Sequence, residues 1–96
     1  MDIQPYWKSF INGEYVDGGA GRLAVENPAD GSVVAEVAMA DAADVDRAVA
    51  AARAVQNDGV LSQMRPVELG RMVRAMGDWF ASKRDEIATI LSLEAG

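Results

Sequence analysis

Near residue 40 the chain changes its hydrophobic period, and that switch limits the fold more than any other feature. Up to Ala40 it carries short β-prone runs broken by Gly, Asn, Asp and Pro. From Asp41 onward the apolar residues recur every three or four positions, and the turn residues thin out. A two-residue period predicts half-buried strands and a 3.6-residue period predicts amphipathic helices, so the chain reads as strands followed by helices. With 96 residues and no internal repeat or linker, it is one small domain or a piece of a larger one.

In the first half, Lys8-Ser9-Phe10-Ile11 and Glu14-Tyr15-Val16 flank Asn12-Gly13. Asn-Gly between such runs predicts a hairpin, because a type I′ turn needs two positive φ angles. Gly18-Gly19-Ala20-Gly21 interrupts the pattern. A second pair follows, Arg22 to Glu26 and Ser32 to Ala38, joined by the turn cluster Asn27-Pro28-Ala29-Asp30-Gly31. Two small antiparallel hairpins are therefore expected over about residues 8–38.

Asp41 is placed to cap a helix, with Asp44 three residues on near the positive end of its dipole. Val45, Ala48, Val49, Ala52 and Val55 share one face, and that face of small residues predicts close packing. Asn57-Asp58-Gly59 is the stop signal, which gives a helix over about 42–56. Pro66 opens the next helix, where its missing N–H costs nothing. Leu69, Met72, Val73, Met76 and Phe80 form its stripe, continued by Ile87, Ile90 and Leu91. Ser82 with Asp85 three residues later suggests a second cap, so helices over about 66–82 and 83–95 are expected with a break near Ser82. The sequence halts on Gly96 directly after an apolar stripe, where a complete small domain more often finishes in a polar tail; the expectation is of a cut chain.

Composition narrows the chemistry. There is no cysteine and no histidine, so thiolate nucleophiles, disulfides, the commonest general base and the commonest metal ligand are all missing. Of 48 hydrophobic residues 17 are alanine, so the core is thin. The net charge is −6, all of it in residues 1–48; the second half balances. No basic stripe offers itself to phosphates, which argues against nucleic acid as a partner. No apolar run approaches the roughly 20 residues that cross a bilayer, and Met1-Asp2-Ile3-Gln4-Pro5 has neither the basic nor the apolar region of a signal peptide. No membrane partner and a cytoplasmic location are the default expectations.

Candidate sites are few. Gly18-Gly19-Ala20-Gly21 leads into a strand rather than a helix and lacks Gly-Lys-Ser/Thr, so it reads as a plain loop and not a phosphate cradle. Tyr6, Trp7, Phe10 and Tyr15 are expected to pack in the hairpin and core, and Met64, Met72 and Met76 to fill core. Arg65, Arg71, Arg74, Lys83 and Arg84 read as a solvated surface or as interface pairs. Glu94 is less ordinary, since it lies in the last turn of a helix, where the dipole disfavours a carboxylate by about 0.3–1 kcal/mol. A nearby cation would remove that penalty; a solvated glutamate bearing a small cost is the simpler account.

The order of motifs resembles a known family. Phe10-Ile11-Asn12-Gly13-Glu14-Tyr15-Val16, then Glu26-Asn27-Pro28-Ala29-Asp30-Gly31, then Asp44-Val45-Asp46-Arg47-Ala48-Val49-Ala50-Ala51-Ala52-Arg53, and finally Leu93-Glu94-Ala95-Gly96 look like the opening of an aldehyde dehydrogenase. Each motif alone is common; four in this order and spacing, from about Trp7 to Gly96, are specific. Three features depart from the pattern. Arg65 stands where the family usually has Ser or Thr before Pro66, Leu69 replaces a frequent arginine, and residues 55–60 lack the usual aromatic residues.

The resemblance implies an α/β fold, of which residues 1–96 would be an incomplete N-terminal portion of the cofactor-binding domain, without a complete catalytic domain. It implies oxidation of an aldehyde to a carboxylic acid with NAD or NADP, in which a cysteine attacks the carbonyl and a glutamate activates the water that releases the acid. Those residues lie later in family members, so no catalytic or cofactor-binding residue is expected here. It also implies a monovalent cation (K or Na) held by backbone oxygens before the Asn-Pro turn and by the carboxylate closing the early helix; the matching positions are Val25, Glu26 and Glu94. The expected partners are the remainder of the enzyme chain, the aldehyde and further copies in a homo-oligomer. From the residues alone another function stays open: a self-standing α+β interaction module that binds a partner through its helix stripe.

Overall fold

The computed structural model describes residues 3–96. Met1 and Asp2, on which the reading of the chain's start partly rests, lie outside them. Five strands precede three helices: β1 (Tyr6–Trp7), β2 (Ser9–Ile11), β3 (Glu14–Val16), β4 (Arg22–Glu26), β5 (Val33–Ala38), α1 (Ala42–Asp58), α2 (Pro66–Ser82) and α3 (Arg84–Ala95).

Both expected hairpins form. β2 and β3 pair antiparallel with Ile11 opposite Glu14, and Asn12 and Gly13 take φ values of 53° and 78°. Those two positive angles match the strand twist that a two-residue connection requires. Phe10 lies opposite Tyr15 with ring centroids 5.0 Å apart. β4 and β5 pair antiparallel, with a bulge at Val25/Glu26. Their turn is held by its own side chains: the Asn27 carboxamide oxygen accepts from the Ala29 N–H at 3.0 Å, and the Asp30 carboxylate accepts from the Ser32 N–H and hydroxyl at 2.9 and 2.6 Å. These bonds to the charged form lower the Asp30 pKa.

One strand lies before the span of the expected hairpins. β1 pairs in parallel with β5, Tyr6 opposite Glu36 and Trp7 opposite Val37, giving the order β1-β5-β4. Two residues are too few to show a period, so the strand is invisible to pattern reading. β5, central in the sheet, needs a partner on its second edge, and the β-prone Tyr6-Trp7 supplies it. Arg22 ties the three strands together: its guanidinium lies 3.7 Å from the Tyr6 ring centroid and 3.3 Å from the Glu36 carboxylate.

α1 runs two residues beyond its expected end, because the chain stays helical until Gly59 takes φ 76° and its N–H reaches the Gln56 carbonyl at 3.2 Å. The tip of the β2–β3 hairpin lies over this helix, where Phe10, Ile11, Ala48, Ala51, Ala52 and Val55 line a shared groove. Alanines permit that approach. The rest of the expected packing face is open, with Val45 53% and Val49 60% exposed.

α2 begins at Pro66 after an extended Arg65 whose side chain makes no cap; its guanidinium instead bonds Glu68 at 2.8 Å. The break after Ser82 falls where expected, but the expected cap does not form. Ser82 is still within α2, and its hydroxyl donates to the Trp79 carbonyl at 2.6 Å, while α3 starts after Lys83 without a side-chain cap.

The molecule is open. Its radius of gyration is 17.0 Å, against about 12.5 Å for a compact chain of this length. Its accessible surface is 7465 Å², against about 5,300 Å² for a folded monomer of this mass. Ala35, 8% exposed, is the only buried hydrophobic side chain among the described residues. Expectations of core packing are corrected accordingly: Trp7, Phe10, Tyr15, Met72 and Met76 are exposed, because nothing is packed over β1, over the hairpin's outer face or along α2.

Candidate functional site

Three places hold unusual side-chain arrangements. The first joins the glycine loop to the start of α1. Asp41 accepts the Asp44 N–H at 2.8 Å, and the Asp44 carboxylate returns the bond to the Asp41 N–H at 2.9 Å. The same carboxylate takes the Gly19 N–H at 2.8 Å and pairs with Arg47. Asp44 is only 2% exposed, the one buried charge among the described residues. The Gly19 and Asp41 amides lead the groups that hold its pKa below the ordinary aspartate value, and Arg47 adds to them. The loop is further stitched by the Ala20 N–H to the Met39 carbonyl at 3.0 Å and the Met39 N–H to the Gly21 carbonyl at 2.9 Å. A side chain at Gly18 would strike the Met39 carbonyl, and one at Gly19 the Asp41 carboxylate. The loop therefore binds the helix start rather than an anion. The sequence showed Asp44 only as a residue favourable to the dipole; its burial depends on the loop folding back across 25 positions.

The second concerns the three residues expected to hold a cation. Val25 and Glu26 end β4, an edge strand with one row of backbone groups unpaired by strand neighbours. Glu94 lies in the last turn of α3. Gly96 ends that helix against the Asn27-Pro28 turn: a Cβ on it would stand 3.3 Å from the Pro28 ring. The fold thus brings the acid end of α3 beside the turn that Val25-Glu26 enter. Neither Glu26 nor Glu94 has an ion-pair partner among the described residues. The expected donor set, one carboxylate with backbone carbonyls, is of the oxygen type that suits a hard cation. No cluster of three or more acidic, His or Cys ligands occurs among the described residues.

The third is the apolar side of α2. Met72, Ala75, Met76, Trp79 and Phe80 line a shallow depression, with the two rings in an edge arrangement 5.2 Å apart. No charged group enters it.

None of the three offers a nucleophile beside a base. A model of the aldehyde dehydrogenase family matches residues 15–96, most of the chain. The protein belongs to the aldehyde dehydrogenase family. The cytosolic 10-formyltetrahydrofolate dehydrogenase of Mus musculus is 37% identical over all of this chain, which spans 11% of that protein. The mitochondrial 10-formyltetrahydrofolate dehydrogenase of the same organism is also 37% identical over all of it, with 10% of its own length covered. The crystal structure of the NAD-dependent aldehyde dehydrogenase from Sinorhizobium meliloti superposes with a TM-score of 0.90 at 32% identity, over 98% of this chain and 19% of that one. The chain thus has the α/β fold of this part of the family and corresponds to about a tenth to a fifth of the length of these relatives. No helix among the described residues is long and apolar enough to cross a membrane.

Proposed function

We propose that this chain is the N-terminal portion of the cofactor-binding domain of an NAD(P)-dependent aldehyde dehydrogenase, and that it supports catalysis without performing it. The observation that carries this reading is the 0.90 superposition on an NAD-dependent family member of which it covers 19%. In the complete enzyme the nicotinamide supplies the hydride acceptor. The residues here supply framework: the Asp44 junction fixes the β-layer against α1, and the apolar side of α2 rests on the remainder of the enzyme chain. The nucleophilic cysteine and the water-activating glutamate belong to that remainder, since no cysteine occurs here. The aldehyde and further copies in a homo-oligomer are its other partners. A cytoplasmic location is supported by the cytosolic relative; the mitochondrial relative makes the organelle the competing outcome of a fractionation experiment.

Within this reading the Val25 and Glu26 carbonyls and the Glu94 carboxylate contribute to a potassium or sodium site, supported by the approach of the α3 end to the Asn27-Pro28 turn. Glu94→Gln in the complete enzyme is expected to weaken the dependence of its thermal stability on potassium or sodium; an unchanged dependence rejects the site.

The test of the main proposal is to read the coding frame past Gly96 and assay both lengths. The 96 residues alone are expected to give no aldehyde-dependent reduction of NAD or NADP, and the longer product to give it. A stop codon after Gly96, with a cooperatively unfolding product, would replace the enzyme reading with that of a self-standing interaction module.

A further inference from the structure

We propose that Asn12 is a site of spontaneous deamidation, left open by the same turn that makes the β2–β3 hairpin. The reaction needs a side-chain amide free to rotate and a following backbone nitrogen free to attack it. Asn12 and Gly13 satisfy both. Both are exposed at the hairpin tip, and no atom stands within 4 Å of where a Gly13 Cβ would be. Among the described residues neither the Asn12 carboxamide nor the Gly13 N–H has a hydrogen-bond partner, as a two-residue turn requires bonds only between its flanking residues.

The other Asn-X and Asp-Gly steps of the chain are closed by their structure. Asn27 precedes a proline, which has no N–H, and Asn57 lies inside α1, where the next N–H belongs to the helix ladder. The Asp30 carboxylate is held by Ser32, and the Gly31 N–H donates to the Asn27 carbonyl at 2.8 Å. The Gly59 N–H is bound to Gln56 at 3.2 Å, and Asp17 accepts the Tyr6 hydroxyl at 2.7 Å.

In the step itself, base removes the Gly13 N–H proton and the nitrogen forms a bond to the Asn12 side-chain carbonyl carbon. The carbon–nitrogen bond to the side-chain NH2 breaks, and ammonia leaves. Water opens the resulting succinimide at either carbonyl. Opening at the side-chain carbonyl gives aspartate. Opening at the main-chain carbonyl gives isoaspartate, which lengthens the backbone by one methylene within a two-residue turn. Either product adds one negative charge beside Glu14. Isoaspartate also removes the geometry that sets Ile11 opposite Glu14 and Phe10 opposite Tyr15.

The purified protein is held at mildly alkaline pH and its proteolytic peptides are followed by mass spectrometry. A short peptide spanning Lys8 to Asp17 serves as the unstructured reference. The Asn12 peptide is expected to gain the mass difference of carboxylate over amide, at a rate within about tenfold of the reference peptide. Peptides carrying Asn27 and Asn57 should lag far behind. Asn12→Gln should abolish the acidic species that accumulates on isoelectric focusing. A native rate more than about tenfold below the reference, or no faster than at Asn27 and Asn57, overturns the proposal; because these rates come from the unaltered protein, the test survives a variant that fails to fold.

Discussion

Asp44 shows how much one side chain can be asked to hold in a domain with almost no core. Its carboxylate receives amides from two separate segments and a guanidinium from its own helix. Its pKa is lowered in the folded state, so at acid pH the unfolded chain binds the proton more readily. Its contribution is complete above the ordinary aspartate value of 3.8 and is lost as pH falls through the lower folded value. Exchange of the Gly19 amide is therefore expected to stay slow, relative to its intrinsic rate, down to about pH 4 and to accelerate below it. In Asp44→Asn that acid-dependent acceleration should vanish. Steric constraint gives a second expectation: Gly18→Ala should disrupt the loop more than Gly19→Ala. At Gly18 the obstacle is the Met39 backbone, whereas at Gly19 it is the end of a side chain, and thermal melts of the two variants will rank them.

At the scale of elements, capping decides where helices begin, and it differs between α1 and α2. Asp41→Ala removes a full capping box and is expected to cost about 1 kcal/mol in denaturant titration. Arg65→Ser gives α2 the cap it lacks and should add helix content by circular dichroism at the expense of one exposed ion pair. Gly70→Ala and Gly77→Ala should each stabilise α2 by about 0.5–1 kcal/mol, since a Cβ at either meets no atom within 4 Å. What was legible in the sequence follows the same logic. Asn12-Gly13, Asp41, Gly59 and Pro66 each force a local geometry, so the β2–β3 hairpin, α1 and the start of α2 stand where those residues put them. β1 was not legible, because its partner lies thirty positions away and its length shows no period. The Ser82 cap was misread because a hydroxyl at the end of a helix can turn to the carbonyl behind it as readily as to the amides ahead. For the cation positions the motif named Val25, Glu26 and Glu94, but only the fold brings α3 back to the Asn27-Pro28 turn.

Over the whole molecule, the surface exceeds that of a compact monomer by about 2,100 Å², more than twice the roughly 800 Å² that one partner contributes to a standard interface. Small-angle scattering of the 96 residues alone should accordingly give a radius near 17.0 Å or above, and an apolar dye should bind; a radius near 12.5 Å would mean that α2 and α3 collapse onto the sheet. The parallel pairing of β1 also has a bearing on biosynthesis. Tyr6 leaves the ribosome first among the strand residues, yet its neighbour Glu36 emerges thirty residues later, about 2–6 s at ordinary elongation rates. The β2–β3 hairpin can close in microseconds once Val16 is out. The first of these five strands to be made is thus among the last of them to be seated, and until β5 arrives a chaperone or protease meets Tyr6 and Trp7 as open chain.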